Sequence, residues 1–275
     1  MTLLIRELER IDARVLGALR CIDAATRVQV TTPLQVRIAG AVVRRNRSGL
    51  HVIVRAGPPE APAALAAHEA AFDTPPATPA VGGVVLTVSI DDPSGRYLPR
   101  LATIALPRDP QPANASSPDS LFRAVELPLY PAAIAPVGMN WSVLRLSVHE
   151  TGSLDALGGA LLLARAGGNV LARALTDWRG EALLPVPGVP VTTWSDDPDE
   201  VVVTELAARI EWCFDPAAGT RTPAVEVRAG RAPAALPRVD PDDLESRAAA
   251  LPNATLDVAL AAGRTQSFSL PLALP

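Results

Sequence analysis

Apolar and polar positions alternate in short bursts along most of the chain, and Gly, Pro, Asp or Asn closes nearly every burst. A period of two bounded by turn residues is the signature of strands, and strands at this spacing predict an all-β sandwich architecture. Strands are expected at Gln29–Val30, Leu34–Ile38, Leu50–Val54, Val84–Ile90, Leu101–Leu106, Val143–Val148, Ala160–Leu163 and Val170–Leu175. Further strands are expected at Ala182–Val186, Val201–Thr204, Arg209–Phe214, Thr255–Leu260 and Ser267–Leu272. A helical period shows only in residues 3–20, through Leu3, Leu4, Leu8, Ile11, Val15, Leu16 and Leu19, and its second half reads equally well as the start of a strand. Residues 57–83 are Pro/Ala-rich with a short helix at Ala61–Ala71, residues 107–119 read as a loop, and 215–248 as a long loop before a closing hairpin turned by Ala261–Arg264. The pattern predicts an N-terminal sandwich over 1–110, a Pro-rich linker and connecting strand over 111–140, and a C-terminal sandwich over 141–275 with a long loop at 215–250.

The two halves repeat. Leu19–Thr26, Thr32–Val36 and Asn46–Gly49 followed by His51–Val54 are matched by Leu146–Gly152, Gly159–Leu163 and Thr176–Gly180 followed by Ala182–Val186. Gly49 and Gly180 are 131 positions apart and Cys21 and Val148 are 127 apart, with Asn46 and Asp177 each three residues before the glycine. An Asx residue capping a turn whose Gly takes positive φ explains that spacing. The second copy resembles the carboxypeptidase-regulatory-like (transthyretin-like) β-sandwich domain through Thr151-Gly152, Gly159-Ala160, Thr176-Asp177 and Gly180-Glu181-Ala182, with Leu154 where Pro is common. In the first copy Arg27 stands in place of the turn Gly, and Asn46–Gly49 is the close match. The resemblance implies a seven- or eight-stranded sandwich in each of two tandem Ig-like/transthyretin-like domains, and it supplies no catalytic residues.

Composition sharpens this picture. The 28 prolines exclude long helices, and the 4% aromatic content leaves the core to Val, Leu, Ile and Ala. All 25 basic residues are Arg, a bias expected of a GC-rich bacterial genome, so no Walker A loop, Schiff base or lysine general base can be built. The net charge of −4 and the absence of a basic block argue against nucleic acid, Arg44, Arg45 and Arg47 reading as a solvated strand end. Cys21 and Cys213 are expected as buried free thiols. Met1–Arg20 lacks the apolar core of a secretory signal and no 18-residue apolar stretch occurs, so the expected location is the cytoplasm or a particle assembled there.

The search for chemistry returns little. His51, His68 and His149 have no partner at metal-ligand spacing, and His51 and His149 alternate with apolar neighbours and so are expected to face solvent. Acidic clusters at Asp91-Asp92, Ser195–Glu200 and Asp240–Asp243 offer oxygen ligands, most of all Asp196, Asp197, Asp199 and Glu200, but lack the spacing of a calcium loop and read first as acid–Pro turns. No catalytic, cofactor-binding or metal residues are assigned. The candidate partner-binding residues are Trp178 and Arg179 in a turn and Trp194 in a loop, since an aromatic in a turn marks protein or sugar contacts, the competing reading being rings folded over their own core. The sequons at Asn46, Asn114, Asn140 and Asn253 are read as coincidental. The expectation is a non-enzymatic structural or adaptor protein binding other proteins of a larger assembly, by fold-level analogy a phage-tail-like or contractile-injection particle. The alternative is a carbohydrate- or surface-binding module using Trp178 and Trp194.

Overall fold

The structure is a computed structural model that describes residues 15–70, 78–190, 193–194, 201–202 and 205–275, with the backbone alone at 193–194 and 201–202. It is mostly β. The elements in the first part of the chain are β1 (Gly17–Asp23), β2 (Gln35–Ile38), β3 (Ala41–Arg45), β4 (His51–Ala56), α1 (Ala63–Ala70), β5 (Val84–Asp91), β6 (Arg100–Leu106) and β7 (Val125–Leu129). Then follow β8 (Ser142–Glu150), β9 (Ala156–Gly158), β10 (Leu161–Ala166), β11 (Asn169–Leu175), β12 (Glu181–Val186), β13 (Thr193–Trp194), β14 (Val201–Val202), β15 (Leu206–Cys213), β16 (Thr220–Thr222), α2 (Ala224–Arg228), α3 (Pro241–Arg247), β17 (Asn253–Leu260) and β18 (Thr265–Leu272). Residues 3–14 of the helical stripe expected over 3–20 and the acidic cluster at 195–200 lie outside the described residues, and the second half of the stripe runs into β1.

The chain divides into two compact units. One takes the segment ending at Arg20 with Val36–Val88 and Thr103–Glu126; the other takes Cys21–Gln35, Ser89–Ala102 and Leu127–Pro275. Seven strands form a sheet in the order β6-β5-β2-β3-β4-β1-β7. In the first unit α1 lays Leu65 and His68 inward, and the Glu69 carboxylate accepts a hydrogen bond from the Ala56 N–H at the end of β4.

In the second unit two sheets share one apolar core. One runs β11-β10-β15-β17 and the other β12-β8-β9-β16, with β18 parallel to β8. Alternation directs Leu144, Leu146 and Val148 of β8, Leu184 and Val186 of β12 and Leu270 and Leu272 of β18 into that core, where they meet Leu162, Ala164, Ile210, Trp212 and Leu260. Strand β10 is apolar at every position from Leu161 to Ala164 because it is covered on both faces. Its odd positions, Leu161 and Leu163, pack outward with Leu175, Cys213 and Tyr130 under Val239 and Leu244. Leu244 is delivered by α3, which Asp240 caps by accepting from the Asp242 N–H at 3.1 Å, with Pro241 in the first turn. The stretch 215–248, expected as a loop, therefore holds β16, α2 and α3; helices of five and seven residues are too short to show a period.

The expected closing hairpin is corrected. β17 pairs antiparallel with β15, whereas β18 pairs in parallel with β8 in the other sheet, so Ala261–Arg264 is an arch between sheets. Alternation cannot separate the two cases, because in both of them Leu256, Val258 and Leu260 converge on the same core as Phe268, Leu270 and Leu272. Among the described residues β18 has no second strand neighbour, and Pro271 sits near its end in the ladder to β8. The N–H that proline lacks falls on the edge away from β8.

The internal repeat survives at atomic detail. Leu19 faces His51 across β1 and β4, and at offsets of 127 and 131 Leu146 faces Ala182 across β8 and β12. His51 thus holds the inward position that Ala182 holds in the second copy. It is 4% exposed, which corrects the expectation that it faces solvent, and burial followed by the nearby Arg45 charge lowers its pKa. Arg27 is corrected too. Asp23 N–H donates to Val28 O and Arg27 N–H to Asp23 O, while Glu150 N–H donates to Asp155 O and Leu154 N–H to Glu150 O. Arg27 and Leu154 both have φ of 61°, so Arg27 is the counterpart of Leu154, and Ala25 is the counterpart of Gly152.

Candidate functional site

The predicted contact residues Trp178 and Arg179 lie in the turn from β11 to β12, and the turn is built by its neighbours. Asp177 N–H donates to Glu181 O at 2.8 Å, Gly180 N–H donates to Asp177 O at 2.9 Å, and Asp177 Oδ1 accepts from Glu181 N–H at 3.1 Å. The Asn46 turn repeats this bond for bond, with Asn46 N–H to Leu50 O, Gly49 N–H to Asn46 O, and Leu50 N–H to Asn46 Oδ1. Gly180 has φ of 73°, and a Cβ there would lie 2.3 Å from Val148 O, so both conformation and space demand glycine. The Thr176 hydroxyl accepts from Ala160 N–H at 2.8 Å and donates to Leu157 O at 2.6 Å. The motif residues carrying the family resemblance therefore do backbone work.

Arg179 is absorbed by the same turn. Its Nε and Nη2 donate to Asp177 Oδ2 at 3.0 and 2.9 Å, and Nη2 lies 3.0 Å from Glu181 Oε2. Its guanidinium stands 5.9 Å from the Trp178 ring centroid, a cation–π distance. Trp178 is half-buried beside an apolar cleft of about 40 Å³ lined by Leu98, Pro99, Leu175, Leu236 and Pro237. Trp194 falls in β13, where only the backbone is described, so the structure brings Trp178 to Arg179 and leaves Trp194 unplaced relative to them.

A second feature escaped the sequence reading, which folded it into the linker. The loop before β8, residues 131–141, exposes Ile134 at 82% and Met139 at 91%, with Val137 beside them. Its backbone is pinned from several sides. Arg145 Nη1 donates to Ala133 O at 2.8 Å, Ala132 N–H donates to Arg96 O, and Gly263 N–H donates to Trp141 O. Ala135 packs with Val143 and Leu183, and the Trp141 indole lies so close to Gly138 that a Cβ there would be 2.7 Å from it. The signal available in the sequence was three large apolar residues within Pro131–Asn140, flanked by Pro and Gly where a solvated linker would be polar.

The buried polar groups serve structure. Arg100 is 0% exposed: it donates to Leu101 O and Pro128 O at 2.9 and 2.6 Å, meets Asp242 at 3.3 Å and Asp240 at 3.7 Å, and lies over the Tyr130 ring at 5.7 Å. Asp91 is bound by Arg238 at 2.9 Å, and Asp92 caps a turn through the Ser94, Arg96 and Tyr97 N–H groups, which assigns the first acidic cluster to turn construction. Both cysteines are buried thiols outside any disulfide, as expected, and burial pushes the Cys213 thiol up to about 11. Among the described residues no group of three His, Cys, Asp or Glu side chains is placed to hold a metal ion. Nor is any helix there long and apolar enough to cross a membrane. The chain matches no protein-family model and no curated protein sequence.

Proposed function

We propose that this protein is a non-catalytic structural or adaptor component, built of tandem transthyretin-like sandwiches, that docks onto other proteins of a larger assembly. The observation that carries this reading is the 131–141 loop. Large apolar side chains held outward on a pinned backbone cost solvation in the free molecule, and they are the composition of interface anchors. A pinned loop also loses little conformational freedom on binding. The carbohydrate alternative draws support from Trp178, but a cleft of about 40 Å³ is far below the few hundred Å³ of small-molecule sites.

The test is sedimentation of native lysate through a gradient, the phage-tail-like or contractile-injection particle being the first assembly to look for. The protein is expected to travel with a large particle, and the double change Ile134→Asp with Met139→Asp is expected to release it without lowering its melting temperature. Migration of the unaltered protein as a 28.7 kDa species sinks the reading.

A further inference from the structure

We propose that the outer face of the β12-β8-β18 sheet is a docking groove for an extended acidic segment of a partner protein, which rests on the adaptor reading above and names the chemistry of the partner. The strand registers stack this face in rows. Leu183, Arg145 and Ser267 form one row, and Glu181, Ser147 and Ser269 the next, with His149 beside Pro271 beyond them. Ser147 on the central strand and Ser267 and Ser269 on the edge strand leave a trough where larger side chains would fill the space. Cavities of about 540 and 300 Å³ lie along it and share Ser147, Glu181 and Ser269. Ala133 and Ile134 wall one end; Leu154 and α2, through Val227 and Arg228, wall the other. From the Arg145 row to the His149 row is four residues, roughly 13 Å, the length of four extended residues.

The polar inventory selects the ligand. Arg145 and Arg228 pair with no carboxylate among the described residues, although the chain as a whole carries a net charge of −4. Arg145 spends one nitrogen on Ala133 O and keeps the rest of its fork for the groove. The Ser147 and Ser267 hydroxyls bond to no described residue, and the Ser269 hydroxyl meets only His149 Nδ1, at 3.4 Å. The single acid on the floor, Glu181, is neutralised by Arg179. Two guanidiniums without a carboxylate partner among the described residues, over a floor of hydroxyl donors, complement carboxylates, and the exposed Ile134 and Leu154 at the rims complement apolar neighbours. An extended chain alternating acidic and apolar residues satisfies both.

Fluorescence anisotropy tests this with the full chain and two labelled octapeptides, one alternating Glu and Leu and one alternating Lys and Leu. The Glu peptide is expected to bind at least tenfold more tightly than the Lys peptide and to weaken as salt is raised. Ser269→Trp, which fills the trough, is expected to abolish binding, and Arg228→Glu to weaken it about fivefold, each with an unchanged circular dichroism spectrum. Equal binding of the two peptides, no binding of the Glu peptide, or undiminished binding by Ser269→Trp overturns the proposal, as does self-association of the chain through this face that Ser269→Trp removes. The two readings fail separately: a Ser269→Trp protein still carried by the native particle removes the groove and leaves the adaptor reading, whereas absence of the unaltered protein from any particle removes the adaptor reading.

Discussion

At Gly180 a positive φ and a carbonyl oxygen 2.3 Å from where a Cβ would stand act together, while Gly168, with φ of 82°, has open space around it. The pair separates backbone strain from steric conflict. Gly168→Ala is expected to cost about 1 kcal/mol, the price of the left-handed conformation alone. Gly180→Ala is expected to cost roughly 2–4 kcal/mol, read from urea denaturation midpoints. His51 gives a test by pH. Its folded pKa lies below its ordinary value, so between that folded value and about 6.5 the unfolded chain binds a proton that the folded one does not, and stability falls as pH falls through this window. Above the window both states are neutral and the residue contributes nothing to the slope. His51→Ala, which installs the residue of the second copy, is expected to flatten that part of the profile in unfolding measurements at pH 7.5 and 5.5; an identical slope in both proteins contradicts the assignment.

At the scale of elements, the strands with clean alternation were legible and their partners were not. Val143–Val148 and Arg209–Phe214 announce themselves by composition, although the second strand begins three residues earlier, at Leu206, but nothing in the period distinguishes a hairpin from an arch, which is why Thr255–Leu260 and Ser267–Leu272 were expected to pair. The repeat was visible at Asn46 and Asp177 because Asx and Gly at a fixed spacing have one conformational solution. It was misaligned at Arg27 because a non-glycine residue at positive φ leaves no mark in the sequence. Of the candidate site, the Trp178 turn was found and the Ile134 loop was not, since exposure depends on what covers a residue from distant parts of the chain. Arg100 illustrates the same limit. It looks like any surface arginine in sequence, yet it knits β6 to the Pro128 carbonyl and to the start of α3. Arg100→Met is expected to destabilise the protein by about 2–4 kcal/mol, measured by thermal and urea unfolding, because Pro128 O is left without its donor and the two aspartates lose their cation.

For the whole molecule, the position of Pro271 has a consequence for colloidal behaviour. A strand edge of eight residues with no partner among the described residues is a template on which identical chains stack into fibrils, and this strand alternates small polar with large apolar residues from Ser267 to Leu270 and carries no charge from Gln266 to Leu272. Proline withholds one donor from the row that an incoming strand would need, so growth on that edge stops after a few bonds. Replacing it by valine restores the row. Pro271→Val is expected to fold with unchanged secondary structure and yet to form thioflavin-positive aggregates under agitation, where the natural chain stays dispersed. A single imino acid thus acts as a brake on this strand assembling with copies of itself.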